Sequence, residues 1–246
     1  QVEAIQTVGG RISLRASRAL ARVARTPEDY TAVYADVLAA CDQPVLLHWL
    51  GEMFDPELAG YWGPGDFDAA LETALAVSGA NTAKVDGIKI SLLDKDKEIR
   101  MRRLLPAGVR MYTGDDFNYP ELIAGDDEGF SHALLGIFDP LAVAVGKAVG
   151  QLDAGDTDGF RATLDPTVPL ARLIFRAPTR YYNTRVVFLA WLNGFQDPFI
   201  MLNGAQAMRP LPYFTDIFRL ADQNGLLRDP DLATARMRDL LRLYGT

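Results

Sequence analysis

Over the first 138 residues, short apolar runs alternate with segments whose apolar positions recur every three or four residues; beyond that point only the helical spacing persists. Gln1 to Val8 reads as the end of a helix closed by Gly9-Gly10. A strand follows at 11–17, with Ile12 and Leu14 on one face and Arg15 and Ser17 near its end. Thr26-Pro27-Glu28-Asp29 starts a helix, with threonine as cap and proline in the first turn. Its stripe is Tyr30, Val33, Tyr34, Val37 and Leu38. Pro44 to Leu50 is an almost wholly apolar strand, the composition of a parallel strand covered on both faces. The long segment from Gly51 to Asp66 carries Phe54, Tyr61 and Trp62, which either roof a site or pack over the rim.

A helix over 66–79 leads to the strand Val85 to Ser91. The two-residue period puts Val85, Gly87 and Lys89 on one face and Ile88 and Ile90 on the other. Then come a charged helix from Asp94 to Leu105, a strand from Gly108 to Thr113, a short helix from Tyr119 to Ala124, and a fifth strand from Gly129 to Ile137. This alternation predicts an α/β fold with a parallel sheet. From Asp139 onward helices are expected near 140–153, 156–175, 180–195, 212–224 and 231–243. The run from Val186 to Leu192 is apolar nearly all round and should be deeply packed.

Composition narrows the classes of function. The 246 residues are 49% hydrophobic and 23% charged, ordinary for a globular domain, with a formal charge of -7. No basic run suits nucleic acid, and no apolar run is long enough to span a bilayer. Cys41 is the single cysteine, which excludes an internal disulfide framework and makes a reducing, cytoplasmic location the default.

Lys89 carries the first candidate chemistry. An amine at the end of an apolar strand must be solvated, paired or used, and a desolvated lysine attacks a carbonyl to form a Schiff base. His48, one strand away, suits proton transfer. Asp115 and Asp116 directly follow a strand end: one is expected to orient water or a substrate hydroxyl, the other to cap the next helix. Arg15 and Ser17 suit a carboxylate or sugar hydroxyls, and Ser131 is a candidate of the same kind. An alternative reading gathers His48, Asp115, Asp116, His132 and Glu52 around a divalent metal, as in a metal-dependent lyase or isomerase. A third is a catalytically silent barrel that binds a sugar or keto acid.

Five βα units do not close a barrel, which needs eight. The chain also begins without methionine, so about three N-terminal βα units, roughly 100 residues or more, are expected to be missing from it. The alternative is a complete open sheet with a helical cap.

Several motifs bear on this. Gly87-Ile88-Lys89, Thr113-Gly114-Asp115-Asp116 and Gly129 to Ser131 resemble the strand-six, strand-seven and strand-eight motifs of the dihydrodipicolinate synthase / N-acetylneuraminate lyase superfamily. Leu152 to Asp156 and Leu202 to Pro212 resemble its C-terminal helical region. Ala16-Ser17-Arg18-Ala19-Leu20-Ala21 and His48-Trp49-Leu50-Gly51 look typical of its DUF993-type branch. The resemblance implies a TIM (β/α)8 barrel of which residues 1–138 hold strands four to eight, with the last barrel helix and a helical region at 139–246. It implies Lys89 as the Schiff-base residue of an aldolase or dehydratase, a small carbonyl substrate, no bound cofactor and a homo-oligomer. Trp49, Gly114 and Asp116 join Arg15, Ser17 and Ser131 as expected substrate contacts, with Asp115 beside Lys89 and His48 in the catalytic set. One departure stands out: the family's strand-five Tyr-Asn-Val-Pro, with its proton-relaying tyrosine, is replaced by His48-Trp49-Leu50-Gly51.

Overall fold

The computed structural model describes residues 1–63 and 65–245. The chain divides into two compact units, Gln1–Leu135 and Gly136–Thr246.

The first unit is built on five parallel strands hydrogen-bonded in chain order: β1 (Ser13–Arg15), β2 (Val45–Leu50), β3 (Val85–Ser91), β4 (Arg110–Thr113) and β5 (His132–Ala133). Its helices are α1 (Val2–Thr7), α2 (Arg18–Val23), α3 (Pro27–Ala39), α4 (Phe67–Ala80), α5 (Lys95–Leu104) and α6 (Tyr119–Ala124). Aspartates start α4 and α5: Asp66 accepts from the Asp68 and Ala69 amides, and Asp94 from that of Lys97. Two strands are shorter than their apolar runs suggest. The Ser17 hydroxyl accepts the Leu20 amide at 3.3 Å and starts α2, an unexpected helix, so β1 stops at Arg15. The expected strand from Gly129 keeps only His132 and Ala133, because Gly129 is tied back to Asp126 in a tight turn.

β2 does not have both faces covered. Val45, Leu47 and Trp49 are buried on one side, whereas Leu46, His48 and Leu50 are only half-buried on the other. β3 carries a bulge that changes its expected facing. Val45 pairs with Val85, but the next residue, Leu46, pairs with Gly87, so Asp86 is the extra residue. Val85 therefore shares the buried face with Ile88 and Ile90, while Gly87 and Lys89 lie on the half-open one.

Two aromatics of the long loop, Tyr61 and Trp62, pack behind the sheet. Trp62 is fully buried, stacked on Tyr34 of α3 at 4.9 Å and edge-on to Tyr61 at 5.1 Å. The Tyr34 and Tyr61 hydroxyls meet at 2.9 Å. Tyr30, Tyr34 and Leu38 are the buried stripe of α3; Val33 is exposed, so the stripe is narrower than its apolar content. Arg18 holds the loop from α2, bonding Asp55 at 2.7 Å.

The second unit is helical: α7 (Phe138–Asp153), α8 (Thr157–Leu164), α9 (Val168–Ile174), α10 (Tyr182–Leu192), α11 (Leu211–Gln223) and α12 (Pro230–Leu243). The single helix expected over 156–175 is broken by a 3-10 turn at Asp165–Thr167, where Pro166 supplies no amide. No described helix is long and apolar enough to cross a membrane.

Candidate active site

Residues aligned across a parallel sheet project to the same side. The pairing aligns Arg15, His48, Lys89, Tyr112 and His132, one from each of the five strands. This row lies on the face that the helices leave half-open, and Lys89 is its middle member. The aligned neighbours before it, Leu14, Leu47, Ile88 and Met111, fall on the opposite side, with the last three buried.

The Lys89 side chain runs past Gly114. A Cβ at position 114 would come within 2.7 Å of Lys89 Cε and would overlap Ser91 Oγ, so glycine leaves the space that the lysine and serine occupy. Ser91 in turn hydrogen-bonds His48 Nε2 at 3.0 Å. Burial, with the positive charges of Lys89 and Arg15, pushes the His48 pKa down to about 3, so its ring is neutral at pH 7. Tyr112 donates its hydroxyl to Asp86 at 2.8 Å, and Arg110 pairs with the same carboxylate. His132 sits beside Tyr112, ring centres 5.2 Å apart, and burial lowers its pKa. Neither Ser91 nor Tyr112 was among the residues expected from sequence. Their alternation signal is present, since Ser91 follows Lys89 by two residues and Tyr112 precedes Gly114 by two.

Four expected site residues have other positions or duties. Trp49 lies on the buried face of β2, stacked on Phe67 at 5.7 Å and edge-on to Trp62 at 6.2 Å, because the strand alternates it away from His48. Ser17 is spent as the α2 cap. Ser131 is fully buried, its amide donating to the Leu122 carbonyl and its hydroxyl beside Arg102 Nη1 at 3.5 Å. Asp115 is also buried: one oxygen accepts the Phe117 and Asn118 amides at 2.7 and 3.0 Å, the other the Asn118 side chain at 2.7 Å. It builds the turn into α6. Asp116 is buried next to it.

Glu98 of α5 carried no sequence signal among the charges of its helix. It is almost completely buried and accepts the Thr113 hydroxyl at 2.9 Å, while its Oε1 has no hydrogen-bond partner. Burial pushes its carboxyl up to about 7, against the pull of the Ser131 and Thr113 hydroxyls. Among the described residues no three His, Cys, Asp or Glu side chains gather to hold a metal ion. The suggested ligands are spread out: His48 and His132 sit three strand spacings apart, roughly 14 Å, and Glu52 is exposed.

Residues 1–246 match the family model described as protein of unknown function (DUF993). The chain belongs to this family. A search of curated proteins finds no significant match for this DUF993 chain. Solved structures resemble its fold. A proposed dihydrodipicolinate synthetase from Pseudomonas aeruginosa matches 92% of the chain and 68% of its own length, at 18% identity and a TM-score of 0.66. A monomeric dihydrodipicolinate synthase variant matches 92% and 69%, at 15% identity and 0.69. The dihydrodipicolinate synthase of Aquifex aeolicus matches 93% and 71%, at 12% identity and 0.67. At these identities the likeness is one of fold.

Proposed function

We propose that this DUF993 protein is a Schiff-base-forming lyase, an aldolase or a dehydratase, acting on a small keto-acid or sugar-derived carbonyl compound. The observation that carries the reading is the position of Lys89 in the middle of the polar row, with the Ser91–His48 pair beside it. In this mechanism Lys89 Nζ attacks the substrate carbonyl carbon. Protons moved by the Ser91–His48 pair turn the carbinolamine hydroxyl into water, which leaves an iminium. The iminium draws electrons from the adjacent C–C or C–H bond, so the lysine itself supplies the electron sink and no cofactor is required. When Lys89 attacks as the free amine, one charge that depresses His48 is gone, and the ring becomes the better base. Arg15, at the end of the row, suits a substrate carboxylate.

The five strands are read as strands four to eight of a (β/α)8 barrel, with the row at its interior. Support comes from their unbroken parallel order and the likeness to dihydrodipicolinate synthase folds. Among the described residues no side-chain cluster favours the metal reading. Borohydride trapping with pyruvate and a panel of keto sugars, read by peptide mass spectrometry, tests the proposal. A reduced adduct on the Lys89 peptide, absent in Lys89→Ala, is expected. Trapping at another lysine, or none with any carbonyl compound, would sink it.

A further inference from the structure

The chain is acidic overall, yet between Val168 and Tyr213 it carries five arginines and a single acid, Asp197. Three of these arginines converge on one ring. The guanidinium carbons of Arg176, Arg185 and Arg209 lie 4.1, 4.7 and 5.3 Å from the centre of Tyr213 in α11. None of the three forms an ion pair with a carboxylate among the described residues.

Two of them are buried. Arg185 has no exposed surface and Arg209 is 6% exposed. Part of this is explained by the backbone. Arg185 Nη1 donates to the Leu173 and Ile174 carbonyls and so caps the end of α9. Arg209 donates to the carbonyls of Arg176, Ala177 and Pro178. The remainder is not explained that way. Arg185 Nε and Nη2, and Arg209 Nε, are buried with no hydrogen-bond partner. Nε and Nη2 together form the edge of a guanidinium that meets an oxyanion side-on, with two parallel N–H bonds. Burial and the two neighbouring arginines push the Arg185 pKa down to about 9, the direction expected for a cation without a counter-charge.

We propose that the helical unit holds an oxyanion site, formed by Arg176, Arg185 and Arg209 around Tyr213, that takes a phosphate group. A buried charge is tolerated when it is paired, and a dianion balances three clustered cations better than a carboxylate does. Arg185 is the floor of the site, Arg209 its side, and the exposed Arg176 its rim. The site is independent of Lys89 chemistry.

The test is calorimetric and thermal titration of the whole protein with inorganic phosphate, at ionic strength held constant with sodium chloride. Saturable one-to-one binding and a rising melting temperature are expected. Arg176→Gln removes an exposed side chain that holds no backbone carbonyl, so it should fold and melt as the parent does without phosphate, yet bind roughly ten-fold more weakly or worse. Lys89→Ala should bind phosphate as the parent does, which separates this site from the proposed lyase chemistry. Glycerol 1-phosphate binding more tightly than inorganic phosphate would identify an esterified ligand, and the reverse a free one. Three results overturn the proposal: no response beyond that to chloride, undiminished binding by Arg176→Gln, or acetate binding as tightly as phosphate.

Discussion

Replacing Glu98 with glutamine should flatten the protein's loss of stability between pH 5 and pH 8. The Glu98 carboxyl titrates at about 7 in the folded protein against an ordinary 4.5, chiefly because it is buried. A raised acid favours folding while it is protonated. Its contribution is full below pH 4.5, erodes as the pH rises, and is gone above about 7. Ionisation of this one group therefore costs the folded state about 3 kcal/mol across that window. Glutamine keeps an acceptor for the Thr113 hydroxyl and cannot ionise. Any fixed cost of its amide is the same at every pH, so the slope is the quantity to read. Urea unfolding of both proteins at pH 5, 6, 7 and 8 should show the difference, variant minus parent, growing by about 2–3 kcal/mol in the variant's favour. A difference that stays constant with pH would refute the reasoning, since it would mean that Glu98 titrates alike folded and unfolded.

Two further substitutions probe the sheet from its two sides. Gly114→Ala puts a methyl group within 2.7 Å of Lys89 Cε and the Ile90 carbonyl, so it should destabilise by about 1–3 kcal/mol and reduce borohydride trapping at Lys89; parental melting and trapping would show that the contact relaxes freely. Trp49→Ala should cost about 3–5 kcal/mol in urea unfolding, because it empties a place against Trp62 and Phe67, while Trp49→Phe should trap substrate as the parent does; weaker trapping by Trp49→Phe would return this residue to the substrate side.

Alternation and caps made the three central strands and most helices legible, because both signals are local. Facing was harder to read. Trp49 and His48 are neighbours in sequence, and only the alternation of β2 separates a core aromatic from a row residue. The row itself depends on pairing between residues 20 to 41 positions apart, from Tyr112 to His132 at the least and from His48 to Lys89 at the most, and no single stretch encodes it. The contacts of Ser17 and Ser131 were hard to read for a similar reason: a hydroxyl near a strand end serves a helix cap or a buried network as readily as a ligand. Glu98 was invisible because its burial involves β4 and the segment just before β5, not its own helix alone. The arginines of the second unit were countable from the start, but their convergence on Tyr213 belongs to the tertiary structure.

The extra residue at Asp86 gives this strand slack in its length. With Val85 anchored opposite Val45, deleting Asp86 would remove the bulge and leave Gly87 opposite Leu46 and Lys89 opposite His48, so the amine would keep its side of the sheet. Between Lys89 and Ser91 the pairing is regular, so losing Ile90 would swing Ser91 to the side of Trp49 and away from His48. The same one-codon deletion is therefore absorbed before Gly87 and changes sides after Lys89.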